Sequence, residues 1–341
     1  MTRRTMTLLA GLLLVVVLGA VGGTITVPYV ALGPGPTFNT LGQDKGTDVI
    51  SIKGTRSYPT TGHLNMTTVS VRDGLTLFGA LGLWVDGRDA VVPRETVYPP
   101  DQTTQQVERQ NTQDFQRSES SAVVSALRYL KYPFTVKVDS VTKGSPSSGV
   151  LAPGDRLTTI NGTAVTTAAQ VSKALAGTRP GQSVTVGYVR NGAAATGTVV
   201  LGHRPETNET QGFLGIAPAD SPDVPFTVDI SLANIGGPSA GLMFALGVVD
   251  KLTPGQLNNG AFVAGTGTIT NDGTVGPIGG IPFKMVAARE AGATTFLVPS
   301  ANCKEAKANA PAGLTLVKVD SLTSAVTDLD DLAKNRPVTH C

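Results

Sequence analysis

The chain has 341 residues, of which 40% are hydrophobic and 15% are charged. At roughly 150 residues for each domain, this length indicates two folded domains with additional segments, and the composition is too apolar for a disordered chain. The formal net charge is only +2. It gives no basic field for binding nucleic acid and no acidic tail, so we expect no nucleic-acid partner.

The N-terminal segment is the most apolar part of the sequence. Arg3 and Arg4 precede an aliphatic run from Leu8 to Val21, and no charged residue lies within the run. Because about 20 apolar residues cross ~30 Å of hydrocarbon, residues 1–30 are predicted to form a cytoplasmic tip and a transmembrane anchor. The two arginines predict a single-pass protein of the cell membrane, with a cytoplasmic N-terminus and the remaining chain extracytoplasmic. A cleaved signal peptide, with a small-x-small cleavage site at Ala20-Val21-Gly22, is the alternative.

Residues 31–132 contain signals of several kinds. The sequence GPGPTF at residues 33–38 predicts an extended stalk, and alternating apolar and polar residues predict strands at 48–53 and 64–71. Glycine and proline are absent from residue 102 to residue 130, so one or two helices are predicted there.

Residues 133–201 are predicted to form a compact β-rich unit. Asn-Gly pairs mark turns between strand-like segments, and Thr167 with Gln170 forms a capping box that begins a short helix. The sequence GSPSSGVLAPGDRLTTING at residues 144–162 resembles the core of PDZ domains. Residues 202–225, which are polar and rich in proline, are predicted to be a linker.

The resemblance to PDZ domains implies a peptide-binding groove between a strand and the helix, because such domains bind an extended peptide by strand addition. The matching positions are Phe134, Thr135, Val136, Val171 and Leu175. The Gly-Leu-Gly-Phe loop that holds a peptide carboxylate is absent before this strand, where Pro133 supplies no backbone N–H. A spacer domain without a working groove is the alternative.

Residues 226–335 form the second predicted compact region, followed by a tail at residues 336–341. The sequence has two cysteines, Cys303 in this region and Cys341 in the tail. An oxidising compartment favours a disulfide and a reducing one favours free thiols, so both states are left open. The histidines and cysteines match no metal-binding motif and no phosphate-binding loop occurs, so we expect neither a metal nor a nucleotide.

Two predicted helix starts in this region carry the candidate chemistry. GGPSAG at residues 236–241 opens an apolar helix and places Ser239 at its N-terminus, where backbone N–H groups favour a developing negative charge. A second helix begins at Pro282, with Lys284 in its first turn. The helix dipole and apolar neighbours lower the pKa of this lysine, so that a neutral amine can accept the serine proton. A capping serine and a surface lysine are the alternatives.

These segments resemble the proteolytic domain of the Lon family of serine peptidases. GPSAG at residues 237–241 is similar to the nucleophile motif of that family, and AGTGTITNDGTVGPIGG at residues 264–280 is similar to the segment that leads to its lysine. The resemblance implies Ser239 as nucleophile, Lys284 as general base, Thr266 as the residue that hydrogen-bonds and orients the lysine amine, and the backbone amides of Ser239 and Ala240 as oxyanion donors. Gly236 and Thr268 stand where the family commonly has acidic residues, which leaves the two catalytic positions unchanged.

An anchor, a PDZ-like unit and a Lon-type domain together resemble the membrane-anchored, PDZ-containing Lon-like proteases of bacteria. The expected fold is α+β: a Lon-type proteolytic domain completed by residues 31–132, with a PDZ-like β-rich domain inserted into it or preceding it, and an N-terminal transmembrane helix. The expected function is an ATP-independent serine endopeptidase with an extracytoplasmic catalytic region. It would cleave exported or membrane-associated proteins without a cofactor, as a homo-oligomer such as a hexameric ring.

Two other functions fit parts of the sequence. Residues 237–241 also match the G-x-S-x-G nucleophile elbow of esterases with the α/β-hydrolase fold. The only histidine after Ser239 is His340, beside the chain terminus, which is a poor position for a catalytic base. A membrane-tethered PDZ scaffold with an inactive protease fold is the second alternative. The joint presence of Ser239, Lys284 and Thr266 argues against it.

Overall fold

A computed structural model describes residues 3–205, 210–232 and 235–341. The chain divides into two compact units, one formed by Met1–Val123 with Val228–Cys341 and the other by Val124–Thr227. The first unit is therefore discontinuous in sequence, and the second is inserted into it.

The described elements are numbered in chain order. The helices are α1 (Arg3–Thr24), α2 (Leu77–Asp86), α3 (Thr104–Tyr129), α4 (Ala168–Leu175), α5 (Gly241–Leu252), α6 (Ile281–Glu290), α7 (Cys303–Ala308) and α8 (Leu322–Ala333). The strands are β1 (Tyr29–Asn39), β2 (Gln43–Asp44), β3 (Thr47–Asp48), β4 (Ile50–Lys53), β5 (His63–Arg72), β6 (Ala90–Pro93), β7 (Phe134–Val141), β8 (Arg156–Ile160), β9 (Thr163–Ala164), β10 (Ser183–Arg190), β11 (Ala193–Val200), β12 (Ile216–Pro222), β13 (Thr227–Ile230), β14 (Phe262–Gly265), β15 (Thr268–Ile269), β16 (Val275–Gly276), β17 (Thr295–Pro299) and β18 (Thr315–Val319).

The first unit is built on a six-stranded sheet with the order β18-β17-β14-β5-β1-β6. Strands β5, β14, β17 and β18 pair in parallel, and β1 is antiparallel to both of its neighbours. Helix α5 contacts β5 and is buried along nearly its whole length, as its continuous apolar sequence requires. The sheet joins both sequence segments of the unit, because β14 from the second segment pairs with β5 from the first.

The prediction of a stalk at residues 33–38 is wrong. These residues belong to β1, which pairs with β5 on one side and β6 on the other. Val30 and Ala31 are fully buried in the same strand. The β1–β5 register shifts between Pro34 and Thr37, because a proline in the middle of a sheet removes a ladder hydrogen bond and is tolerated only at such irregularities.

The second unit is a sheet with the order β11-β10-β8-β7-β12, with β9 paired to β8 and α4 beside it. Its apolar core includes Val136, Ile160, Val171 and Val186. The prediction of a linker over residues 202–225 is wrong for the part that forms β12, which pairs antiparallel with β7. Residues 206–209 of the predicted linker lie outside the described residues.

The C-terminal tail is fixed to the edge of the first unit's sheet. Cys303 and Cys341 form a disulfide, and His340 makes a bridge to Val317 of β18. Both cysteines pack against the buried cluster that contains Phe296. The tail is therefore an ordered edge element and not a frayed terminus.

Helix α1 has 22 residues and is, among the described residues, the one helix long and apolar enough to cross a membrane. At 1.5 Å per residue it is about 33 Å long, which matches the hydrocarbon core of a bilayer. A signal sequence near an N-terminus meets the same criteria. Gly22, in the last turn of α1, is buried, and an added side chain there would meet the ring of Phe78 in α2.

Replacing both cysteines, as Cys303→Ser with Cys341→Ser, should destabilise the protein. The bridge closes a loop with a sequence separation of 38, and losing such a cross-link lowers the free energy of unfolding by about 2–4 kcal/mol. Urea unfolding followed by circular dichroism measures the change. Dithiothreitol should lower the wild-type midpoint and leave the double variant unaffected. Identical midpoints for wild type with and without the reductant would contradict the expectation.

Candidate active site

Ser239 lies in the loop that leads into α5, two residues before the helix starts at Gly241. Gly237 has φ of +84°, a conformation that side chains rarely adopt, so glycine is favoured there. Gly241 is needed for close approach, since a side chain at this position would lie 2.7 Å from Cγ2 of Ile269. The two glycines of the 237–241 motif thus shape the loop that presents the serine.

Hydrogen bonds from α3 hold this loop from one side. The Gly237 N–H donates to the Asn111 carbonyl at 2.8 Å, and the Ser118 hydroxyl donates to the Pro238 carbonyl at 3.0 Å. Ala240 is the N-cap of α5, so its N–H belongs to the donors that a helix start leaves without intrahelical partners. The Ser239 N–H lies one residue earlier, in the loop.

Lys284 reaches Ser239 from α6. Gly280, with φ of +68°, precedes this helix and accepts a hydrogen bond from the Lys284 N–H. The side chain is 3% exposed, and Nζ lies 3.0 Å from Ser239 Oγ and 2.6 Å from the Thr67 carbonyl of β5. Burial removes water from the amine and lowers its pKa from 10.5 to about 8.

The two partners of the amine suit a neutral lysine. A neutral amine has two N–H groups and one lone pair, so it can donate to the Thr67 carbonyl and accept the Ser239 proton at the same time. The backbone carbonyl cannot be protonated and holds no charge, so it fixes the position of the amine without stabilising the ammonium as a carboxylate would. This arrangement supports proton transfer from Ser239 to Lys284.

The predicted role of Thr266 as a partner of the lysine amine is wrong. Its hydroxyl donates to the Ser239 carbonyl at 3.0 Å, and the Gly267 N–H donates to the same carbonyl at 2.9 Å. Thr266 follows β14 directly, and its position relative to the serine loop sends its hydroxyl to the backbone of Ser239. Thr266 therefore positions the nucleophile loop and not the base.

A cleft of about 400 Å³ opens beside the serine. Ser239 is half-buried at its floor, and Met66, Val69, Phe115 and Ile235 give the walls an apolar character. A cleft with apolar walls and a few convergent polar groups is the usual form of a small-ligand or peptide side-chain site.

The predicted groove of the second unit is wrong in its strand. Phe134, Thr135 and Val136 lie on β7, whose edge is already occupied by β12. The cleft beside α4 is lined by Val171 and Leu175, as predicted, and on the other side by residues 211–216 and Pro218. The groove therefore lies between α4 and β12, and β12 is the open edge strand.

The sequence analysis missed two functional segments. Thr67 takes part through its backbone carbonyl, so its side-chain type carries no signal. The loop at residues 212–216 was assigned to a linker from its polar surroundings, but Phe213, Leu214 and Ile216 are an apolar cluster that a solvated linker does not require.

Two family models match separate parts of the chain, although the second match begins 20 residues before the second unit. Residues 231–334 match the profile of the Lon protease (S16) C-terminal proteolytic domain. Residues 231–334 are a Lon-type proteolytic domain. Residues 104–201 match the profile of the PDZ domain, a range that stops before β12. The predicted α+β fold class, with a Lon-type proteolytic domain and a PDZ domain, is confirmed.

Curated relatives match the Lon-type domain over about 100 residues. The chain is 39% identical over 99 residues to Lon protease from Campylobacter concisus, which is 29% of this chain and 12% of that protein. It is 38% identical over 103 residues to Lon protease from Xanthomonas oryzae, which is 30% of this chain and 12% of that protein. The chain thus spans about an eighth of the length of these relatives.

The PDZ unit is similar to a solved PDZ domain of the SdrC-like protein from Listeria monocytogenes. The two are 25% identical, over 24% of this chain and 85% of that one, with a TM-score of 0.23.

Removing the buried amine should stabilise the fold. Each tenfold change in acidity is worth about 1.4 kcal/mol, so burial of the ammonium opposes folding by about 3 kcal/mol below pH 8. Losing the hydrogen bond to the Thr67 carbonyl offsets about 1 kcal/mol. We expect Lys284→Met to raise the free energy of unfolding by about 2 kcal/mol at pH 7.

The sign of the pH dependence follows from the lowered pKa. Between about 8 and 10.5 the unfolded state holds a proton that the folded state has lost, so wild-type stability rises with pH and the advantage of Lys284→Met shrinks. Urea unfolding at pH 7, 9 and 10.5 measures this. The exposed helix residue Lys173 supplies the control Lys173→Met, expected to be near neutral. A Lys284→Met variant less stable than wild type at pH 7 would refute the expectation.

Proposed function

We propose that the chain is a serine endopeptidase of Lon type in which Ser239 and Lys284 form a catalytic dyad. The observation that carries this proposal is the 3.0 Å approach of the buried Lys284 amine to Ser239 Oγ. A lysine whose pKa is close to neutral pH is a competent general base, and a serine at a helix start is a competent nucleophile.

The reaction follows from these contacts. Ser239 Oγ attacks the peptide carbonyl carbon while Lys284 Nζ accepts the hydroxyl proton, and the N–H groups of Ser239 and Ala240 bind the oxyanion. Collapse breaks the C–N bond, and the Lys284 ammonium gives its proton to the leaving amine. A water molecule then attacks the carbonyl carbon of the acyl-enzyme while Lys284 accepts a proton from that water. The bond from this carbon to Ser239 Oγ breaks, and Lys284 returns the proton to Oγ.

The proposed acyl transfer consumes no nucleotide and uses no metal, since Lys284 accepts and returns each proton that moves. We therefore propose an ATP-independent enzyme. Thr266 serves as a positioning residue through the Ser239 carbonyl, and Thr67 positions the lysine through its own carbonyl. The apolar walls of the cleft favour an apolar substrate side chain next to the scissile bond.

In this proposal the second unit, which contains most of the match to the PDZ profile, supplies a second peptide-binding element. Asp220 of β12 accepts a hydrogen bond from the Ala168 N–H at 2.6 Å, which ties one end of α4 to the strand. The carbonyls of Leu214 and Gly215 accept hydrogen bonds from Ser147 and Ser145. Because a trans peptide directs its C=O and the following N–H in opposite directions, the next two N–H groups point away from those serines and can hold a peptide terminus.

The proposed substrates are exported or membrane-associated proteins, cleaved outside the cytoplasm. Helix α1 would retain the enzyme at the membrane, with Arg3 and Arg4 on the cytoplasmic side. The packing of Phe78 against Gly22 supports retention over removal as a signal sequence, because cleavage at the small residues near position 22 would take away a buried contact. A homo-oligomeric ring, such as a hexamer, rests on the resemblance of the Lon-type domain alone.

The esterase alternative loses support from the position of His340. Its Nδ1 lies 3.2 Å from the Leu316 carbonyl, on β18 at the edge of the sheet, whereas the hydroxyl of Ser239 has Lys284 as its neighbour. The scaffold alternative loses support from the burial of Lys284, since an inactive fold gains nothing from a desolvated amine.

Covalent labelling tests the dyad. A fluorophosphonate should add one adduct to the protein, detected by intact mass, and Ser239→Ala should give none. Lys284→Arg should also give none, because arginine stays protonated at working pH and cannot accept the serine proton. The half-buried lysine at the end of α5 provides a matched control, and Lys251→Arg should label like wild type. Full labelling of Lys284→Arg would reject the dyad.

The pH dependence of labelling identifies the base. The fraction of neutral amine rises through a pKa of about 8, so the labelling rate should increase up to about pH 8 and level off above it. Stopped aliquots analysed by mass give the rate at each pH. A pH-dependent rise that His340→Ala abolishes would point to histidine as the base and overturn the assignment of Lys284.

A further inference from the structure

Helix α2 presents an apolar face that the described residues of its own unit leave largely exposed. The side chains of this face have exposed fractions of 43% for Leu77, 50% for Phe78, 46% for Leu81, 68% for Trp84 and 77% for Val85. Their spacing of i, i+1, i+4, i+7 and i+8 places them on one arc of roughly 120° at 100° per residue. An uncovered apolar helix face of this size indicates an interaction surface.

The helix itself is firmly attached, so the exposure is not that of a frayed segment. The Thr76 hydroxyl caps its N-terminus by accepting from the Gly79 N–H, and Gly87 in the left-handed conformation ends it. Ala80, at the flank of the arc, is buried, and Leu83, on the opposite side of the helix, is half-buried. The apolar arc is thus held outward by the packing of the rest of the helix.

The contacts between α2 and α1 indicate which medium covers the apolar face of α2. The Val27 N–H donates to the Leu75 carbonyl at 2.8 Å and the Leu77 N–H donates to the Ile25 carbonyl at 3.3 Å. The ring of Phe78 lies directly against Gly22, in the last turn of α1. The two helices therefore share one exposed apolar surface, and a bilayer that surrounds α1 must reach the face of α2.

We propose that α2 is an interfacial membrane helix that inserts its face of Leu77, Phe78, Leu81, Trp84 and Val85 into the bilayer beside α1. The arc has no charged residue, and the amphipathic indole of Trp84 suits the boundary between headgroups and acyl chains. Tyr29, 42% exposed just after α1, is a second aromatic at this level. The inference rests on the proposed membrane anchoring by α1, and it adds a second lipid contact that fixes the orientation of the first unit at the membrane.

Trp84 is the only tryptophan in the sequence, so its fluorescence reports this helix alone. Full-length protein is reconstituted into phosphatidylcholine vesicles and into vesicles of the same lipid brominated at acyl carbons 6 and 7. We expect brominated lipid to lower the Trp84 emission by about twofold, and aqueous iodide to quench it weakly. Equal emission in the two lipids with strong iodide quenching would overturn the proposal.

A charge on the inserted face should weaken the contact. Val85→Asp should reduce quenching by brominated lipid, whereas Val200→Asp, at a valine 58% exposed in the second unit, should leave it unchanged. A Trp84 emission that changes with protein concentration but is not quenched by brominated lipid would mean that a second copy of the chain covers α2. This result would also reject the proposal.

Two further readouts separate this inference from the proposals on which it rests. Resistance to carbonate extraction reports the anchor α1, and release by carbonate would overturn the inference together with the anchor. Fluorophosphonate labelling of Ser239 reports the peptidase, and its loss would leave the quenching result unaffected. Anchored, labelled protein without quenching by brominated lipid rejects the membrane contact of α2 alone.

Discussion

The candidate site depends on the desolvation of one amine. Lys284 is 3% exposed, and its neighbours Ser239 and Thr67 are 45 and 217 positions away in the sequence. Water is excluded from the amine only when α6, the serine loop and β5 are all in place. The parallel pairing of β14 with β5 brings the two sequence segments together, so the sheet of the first unit makes possible the burial that lowers the pKa of Lys284.

Sequence reasoning predicted Ser239 and Lys284 as the reacting side chains, and the structure places Ser239 Oγ and Lys284 Nζ 3.0 Å apart. Ser239 and Lys284 lie at helix starts, and the signals for helix starts are local, so they can be read from the sequence without knowledge of the fold. Thr67 could not be found in this way, because a backbone carbonyl is the same in every residue. Thr266 was found by its motif, but its partner depends on where β14 ends relative to the serine loop, which is a tertiary relation.

The errors in the fold share one physical cause. Residues 33–38 and 216–222 are rich in proline, and composition alone favours extended, unpaired chain for such segments. In the structure both segments are strands, β1 with a register shift around its prolines and β12 at an edge where missing N–H groups are tolerated. Which strand pairs with which is set by long-range packing, and the groove beside α4 was assigned to β7 for the same reason.

The short connection between α1 and β1 couples the helix mechanically to the sheet of the first unit. Only residues 25–28 separate the helix from a strand that is hydrogen-bonded on both sides, to β5 and to β6. A force directed along β1 would act perpendicular to its hydrogen bonds, so the load would be shared by both ladders in shear and not taken by one bond at a time. Since β5 also carries the Thr67 carbonyl that accepts a hydrogen bond from Lys284, such a force would be resisted by the strand beside the amine of the candidate site.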